Sequence, residues 1–506
     1  MAEFEVNESY GYAVSEDFQL EALEARVIIH FRPRVGWKGI GYGFDWMHIG
    51  DYPEIEPDPR YNHTASYEKI ISKQYTSIEN GIIQEVQRRT EKLRRNLTEE
   101  EIQSIMQNPR PHLIKDGIPY MLEGLSNSRA GIFFEDEVSY QTLEREYQYR
   151  LILAKPIERE GERGTDFERY YCSWLSLYPT KSAALSAIVE VLPGAPESYT
   201  IDFYNENENY TVNKLKQIDN LPVGRHVIKD AIEVVSNKEH TEDSTIVAGY
   251  CLEDQYLCRE AGTIIAWAND TRKQKEAKII MVKVTTKEDD KSLPQEIEEV
   301  QQKENILSEY QKEANEFLRQ MFIDIASSIS INIDVSDDRR FQHKGDYHSQ
   351  KGILVNNRNI PTGEKVYRYL DKECEKEFKR KYPQSKNGYG KYLRIFFFDQ
   401  LLYDYDRSTH TSKKAGHGSI EDTPYIIFSS NVAGGYELAH EIAHSFGLEH
   451  TFANKEFHPN SKFTYEGVYT DNIMDYTQLG YSKKPEQYKC FQFWHWQWEI
   501  ANRRVR

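Results

Sequence analysis

The stretch "YELAHEIAHSFGLEHTF", residues 436–452, places three histidines and a glutamate within the eleven positions from His440 to His450. On a helix, side chains at i and i+4 share a face about 6 Å apart, so His440 and His444 can offer two imidazole nitrogens to one ion. Glu441 follows the first of them. Helical rotation carries its carboxylate beside such an ion rather than onto it, where it can hold a water and take its proton. Gly447 comes next, and glycine tolerates the left-handed conformation that stops a helix and turns the chain back. His450 can then swing in as a third ligand. Three protein ligands leave a tetrahedral ion one open position, the arrangement of a catalytic site rather than a closed structural one. The rival reading, ordinary core or surface histidines, gives no cause for this joint spacing. A metal site that has lost its activity is a second rival, and retention of Glu441 speaks against it.

The sequence before this stretch supplies the context such a helix needs. "ISINIDV" (329–335) and "GILVNN" (352–357) read as strands, and "EKVYRYLDKECEKEFKRKYP" (364–383) as an amphipathic helix. "YLRIFFFDQ" (392–400) and "PYIIFSS" (424–430) follow as strands, before Gly434 and Gly435 open the histidine helix. The expected fold is therefore an α+β domain with a mixed sheet over residues 320–506. The tail "FQFWHWQWEI" places Phe491, Trp494 and Trp498 at helical spacing, which predicts a core-packing terminal helix.

HExxHxxGxxH resembles the signature of the metzincin clan of zinc metalloproteases, and "TDNIMDYT" (470–477) resembles that clan's methionine turn. "GLEHTF" and "DNIMDY" are most similar to the pappalysin branch. The resemblance implies one catalytic Zn2+ held by His440, His444 and His450, with Met474 as an apolar floor and Gly447 as the bend. It implies Glu441 as general base and acid in hydrolysis of a peptide bond, with Tyr476 binding the metal or steadying the oxyanion. It also implies that an extended protein or peptide substrate pairs with a sheet-edge strand, "PYIIFSS" or its neighbour. Pappalysins carry a longer, calcium-associated insert before the methionine turn. Here "ANKEFHPNSKFTYEGVY" is short, which leaves calcium an open question and points to a distinct subgroup.

At 506 residues the chain calls for several domains, and 39% hydrophobic and 13% aromatic residues mark it as globular. A net charge of -17 repels phosphate backbones and anionic lipid, so nucleic acid is not an expected partner. Five cysteines without metal-type pairs argue against a disulfide framework. Ordinary buried thiols are expected, although Cys251 or Cys258 could in principle block the open metal position as a thiolate. No segment reaches a membrane span and no signal peptide opens the chain, so synthesis in the cytoplasm and export by a specialised machine are expected.

Four segments follow from the texture. Residues 1–160 read as an aromatic β module, with "ARVIIHFRPR" a strand and "GWKGIGYGFDWMHIGDYPE" a turn-rich stretch. Within them, residues 66–108 read as helical, with a capping box in "TEEE". Short apolar runs over 165–290 predict a β-sandwich. Residues 291–319 are a charged linker and helix, whose apolar stripe runs from Leu307 through Tyr310, Ala314, Phe317 and Leu318 to Met321 and Ile325. The glycine- and aromatic-rich front and "YYCSWLSLYP" resemble the front of modular effectors of Gram-negative bacteria tied to type VI secretion. That resemblance implies a toxin delivered to other cells, with secretion-machine components and a cognate immunity protein as partners. A housekeeping zinc protease with β-rich substrate-binding domains, and a non-catalytic interaction protein with a vestigial protease domain, are the alternative readings.

Overall fold

The computed structural model describes residues 27–47, 71–73, 137–148, 150–159, 162–205, 207–252, 258–286, 306–342, 366–398, 434–453, 460–465, 470–475 and 491–505, with short segments and single residues between them. The chain is mixed α+β and β-rich, with three larger sheets. No helix among the described residues is long and apolar enough to cross a membrane.

In chain order the strands of the first two sheets are β1 (Val27–Pro33), β2 (Gly43–Asp45), β3 (Ser173–Ser176), β4 (Ser182–Val191), β5 (Thr200–Asn205), β6 (Tyr210–Lys214), β7 (Gly224–Ser236), β8 (Ser244–Cys251) and β9 (Cys258–Ala266). One sheet has the order β1-β4-β7-β6 and the other β5-β8-β9-β3-β2. Their inner faces share one core that includes Phe31, Phe44, Trp46, Leu185, Ile232 and Ile264. Each such side chain contributes about 1.5–3 kcal/mol relative to exposure. The sandwich therefore recruits β1 and β2 from the front of the chain. Cys251 faces Cys258 in the β8–β9 register and the two form a disulfide. This corrects the expectation of ordinary buried thiols at these positions, and neither sulfur is a thiolate that could block a metal. Cys172 and Cys374 are buried and free.

The third sheet contains β10 (Lys275–Thr285), β11 (Ile323–Asp334), β12 (Leu393–Phe398), β13 (Gly416–Gly418) and β14 (Tyr425–Ser429), in the order β11-β10-β12-β14-β13. All neighbours are parallel except β13, which runs antiparallel to β14 and forms the edge. Parallel sheets are covered on both faces, so their strands are apolar on both. Ile279 and Met281 of β10 join one core and Ile280 and Val282 the other. Among the described residues the α-helices are α1 (Glu137–Glu146), α2 (Ile306–Leu318), α3 (Val366–Lys381), α4 (Gly435–Ser445) and α5 (His495–Arg504). Leu438 and Ile442 of α4 share the first core with Ala314 and Phe317 of α2. Leu370 and Phe378 of α3 fill the second.

Several details differ from the sequence reading. β10, read as part of the sandwich, lies between β11 and β12, so the third sheet reaches upstream of residue 320. "PYIIFSS" sits one strand in from the edge, and its neighbour β13 is the edge. Ile71–Lys73, inside the stretch read as helical, is a strand paired with Thr464–Tyr465 and Phe134–Glu135. The capping box does form, with Glu101 N donating to Thr98 Oγ1 at 3.3 Å and Thr98 N to Glu101 Oε2 at 2.8 Å. Most of residues 48–136 lies outside the described residues.

A buried polar junction joins the two ends of the chain. Tyr147 Oη and His495 N donate to Asp45 Oδ2 at 2.7 and 2.8 Å. The His495 ring stacks on Trp174 with centroids 3.6 Å apart. Burial pushes the Asp45 carboxyl up to about 8, against the two hydrogen bonds that favour its charged form.

Candidate metal centre

Gly434 caps helix α4, its N–H donating to Glu437 Oε2 at 3.0 Å, while the N–H of Gly435 reaches Glu313 Oε2 of α2 at 3.1 Å. Those bonds satisfy donors that the first helical turn would leave bare. The far end closes in a Schellman motif, with Leu448 N donating to Ala443 O at 3.0 Å and Gly447 N to His444 O at 2.8 Å. Gly447 takes the left-handed position at φ +87°. The bend brings Leu448 O within 2.7 Å of His444 Nδ1.

His440 is 4% exposed and His444 8%, while His450 is half-buried. Their ligand nitrogens all lie within 4.8 Å of one another, and His444 Nε2 is 3.1 Å from His450 Nε2. Two imidazole nitrogens on one tetrahedral zinc stand about 3.3 Å apart. His440 donates from Nδ1 to Ile473 O at 2.7 Å, and His444 does the same to Leu448 O. A proton held on Nδ1 by a carbonyl leaves the Nε2 lone pair for a metal, the usual outer support of such sites. Burial pushes His440 down to about 4, opposed by the bond to Ile473, so the ring is neutral at pH 7. The donor set and its supports fit a divalent cation bound by nitrogen.

The third histidine is fixed from its own flank. Phe452 stacks on the His450 ring at 4.8 Å and 8°. Thr451 N donates to Met474 O at 3.2 Å, and Tyr465 N to Thr451 O at 2.9 Å. The Thr-Phe pair after His450 thus positions that imidazole and ties it to the methionine turn.

Met474 is fully buried in that turn, and its N–H donates to Asn472 Oδ1 at 2.8 Å. Asp475 Oδ2 accepts from Thr470 N and Oγ1 at 2.9 and 2.6 Å. Asn472 Nδ2 donates to Gln497 Oε1 at 2.7 Å, Gln492 Nε2 to Asp471 Oδ1 at 2.6 Å, and Ile473 N to Gln492 O at 2.8 Å. None of these polar supports was picked out from sequence. The terminal helix starts at His495 and not at Phe491 because the backbone of Phe491 and Gln492 bonds to Asp471 and Ile473 of the turn, and Phe493 N donates to Gln320 Oε1. Trp494 and Trp498 are buried as expected.

Glu441 is half-buried on α4, next to His440. Tyr476 lies outside the described residues.

No protein-family model matches the chain, and no curated protein does. Among solved structures it is similar to a family 123 glycoside hydrolase from Clostridium perfringens, with 10% identity and a TM-score of 0.14. The match covers 47% of this chain and 46% of that one, under half the length of either, and carries no argument about fold or activity.

Proposed function

We propose that the chain is a zinc-dependent endopeptidase of metzincin type, with His440, His444 and His450 as metal ligands and Glu441 as general base. The observation that carries this is the convergence of three imidazoles, two of them with Nδ1 committed to backbone carbonyls. Zinc, when bound, supplies Lewis acidity and lowers the pKa of water to about 7. Glu441, one residue beyond His440, takes the proton of the attacking water and returns it to the leaving amine. The C–N bond breaks to give a carboxylate and an amine. Tyr476 is assigned by its place two residues after Met474, to steady the oxyanion. The antiparallel edge strand β13 is the candidate to pair with an extended peptide.

Purified protein should carry about one zinc per chain. His444→Ala should carry almost none. Glu441→Gln should keep the zinc and lose casein hydrolysis by about 100-fold or more. A zinc-free wild type, or full zinc in His444→Ala, sinks the ligand assignment. Full hydrolysis by Glu441→Gln sinks the base. Expressed in a recipient cell, the same pair separates a delivered toxin, harmful only with Glu441 intact, from a housekeeping enzyme.

A further inference from the structure

Gln320 is fully buried where three distant parts of the chain meet. Its Nε2 donates to Gly39 O at 2.9 Å and to Phe491 O at 2.8 Å, and its Oε1 accepts from Phe493 N at 2.9 Å. Its own carbonyl accepts from Ser176 Oγ at 2.6 Å, and Ser176 Oγ accepts from Gly43 N at 3.1 Å. One residue thus clasps the glycine loop at the front of the chain and the segment before α5 with its side-chain amide, and the sandwich with its backbone carbonyl.

The front loop fits because position 39 has no side chain. Gly39 sits at φ +76°, and a Cβ there would fall 1.7 Å from Phe491 O and 2.7 Å from Gln320 Nε2. Trp37 meets the Phe491 ring edge-on at 5.5 Å. The motif "GWKGIGYGF" therefore has a structural role, because it presses on the 491–493 segment.

That segment leads to the histidines. The bonds to Phe491 and Phe493 flank Gln492, whose carbonyl accepts from Ile473 N at 2.8 Å. The carbonyl of Ile473 in turn accepts from His440 Nδ1 at 2.7 Å. We infer that Gln320 is a positioning residue for the three-histidine cluster, transmitting the docking of the Gly39 loop through residues 491–493 and Ile473 to His440. The sandwich is then part of the metal centre's scaffold rather than an interchangeable attachment. The metal arm of the test below rests on the proposed ligand set, and the exchange arm does not.

The full chain is used throughout, as wild type, Gln320→Met, Gln320→Glu and Gly39→Ala. Amide hydrogen exchange of the metal-free proteins is followed over residues 471–475, beside cobalt(II) affinity and the visible cobalt band. With circular dichroism like the wild type, the variants should exchange faster over 471–475 while β4 and β7 keep their protection. They should bind cobalt about 10–100-fold more weakly, with a shifted band. Should Gln320→Met prove insoluble, Gln320→Glu decides, since it keeps the acceptor for Phe493 and removes both donors. A merely structural role would lower the melting temperature and leave exchange and band unchanged well below it; that outcome overturns the inference. If the wild type binds no cobalt, the ligand assignment fails, and the exchange arm alone decides for or against Gln320.

Discussion

At Gly447 the backbone stands at φ +87°, and a Cβ there would come within 2.9 Å of Arg504 Cδ. Gly447→Ala should therefore cost about 1–2 kcal/mol of stability, read by denaturant unfolding. It should also weaken zinc binding, because the same bend presents the Leu448 carbonyl to His444. An alanine variant of wild-type stability and affinity would show that the bend is not needed. At this scale the sequence was legible wherever chemistry depends on local spacing. The His440, His444 and Gly447 pattern is set by helix geometry alone, and the structure brings His450 to it. Asn472, Gln492 and Gln497 were not legible. A buried amide looks like a surface amide until its partner is known, and Asn472 finds Gln497 only through tertiary folding.

Among the elements, β10 shows where pattern reading stops. Its "AKIIMVKVT" run is apolar on both faces, as a central parallel strand must be, yet sequence periodicity does not say which sheet it enters. It bonds to β11 on one side and β12 on the other. A chain begun at residue 320 lacks this strand and leaves two ladders without their partner. Such a fragment should show no cooperative unfolding transition in calorimetry, and a sharp transition would refute the placement. The apolar stripe of α2 was legible because a helix packed on one side keeps its period, and Ala314, Phe317 and Leu318 are indeed buried. α5 begins later than that spacing suggests because Phe491 and Gln492, at helical distance from Trp494, give their backbone bonds to the methionine turn, with Gln492 bridged to Asn472.

Across the whole molecule, the Asp45 junction couples the front of the chain to α5. The carboxyl stands near pH 8 in the folded protein, raised by burial, and near 3.9 in an unfolded chain. Between those values the native state holds a proton that the unfolded state has released, so stability should fall as pH rises from about 4 to about 8. Asp45→Asn should flatten that slope, measured as midpoint of urea unfolding against pH. An unchanged slope would place the titration elsewhere. The spatial union of residues 27–47 with residues 491–502 also bears on how the protein is made. Translation delivers the Gly39 loop early and the Gln492 and Gln497 amides only at the far end of the chain. Until those amides are made, the loop beneath His440 lacks the bonds to Gln492 and Gln497 and keeps those to Thr451 and His440. A chain made in this order completes the support of that turn only after the histidines themselves have been made.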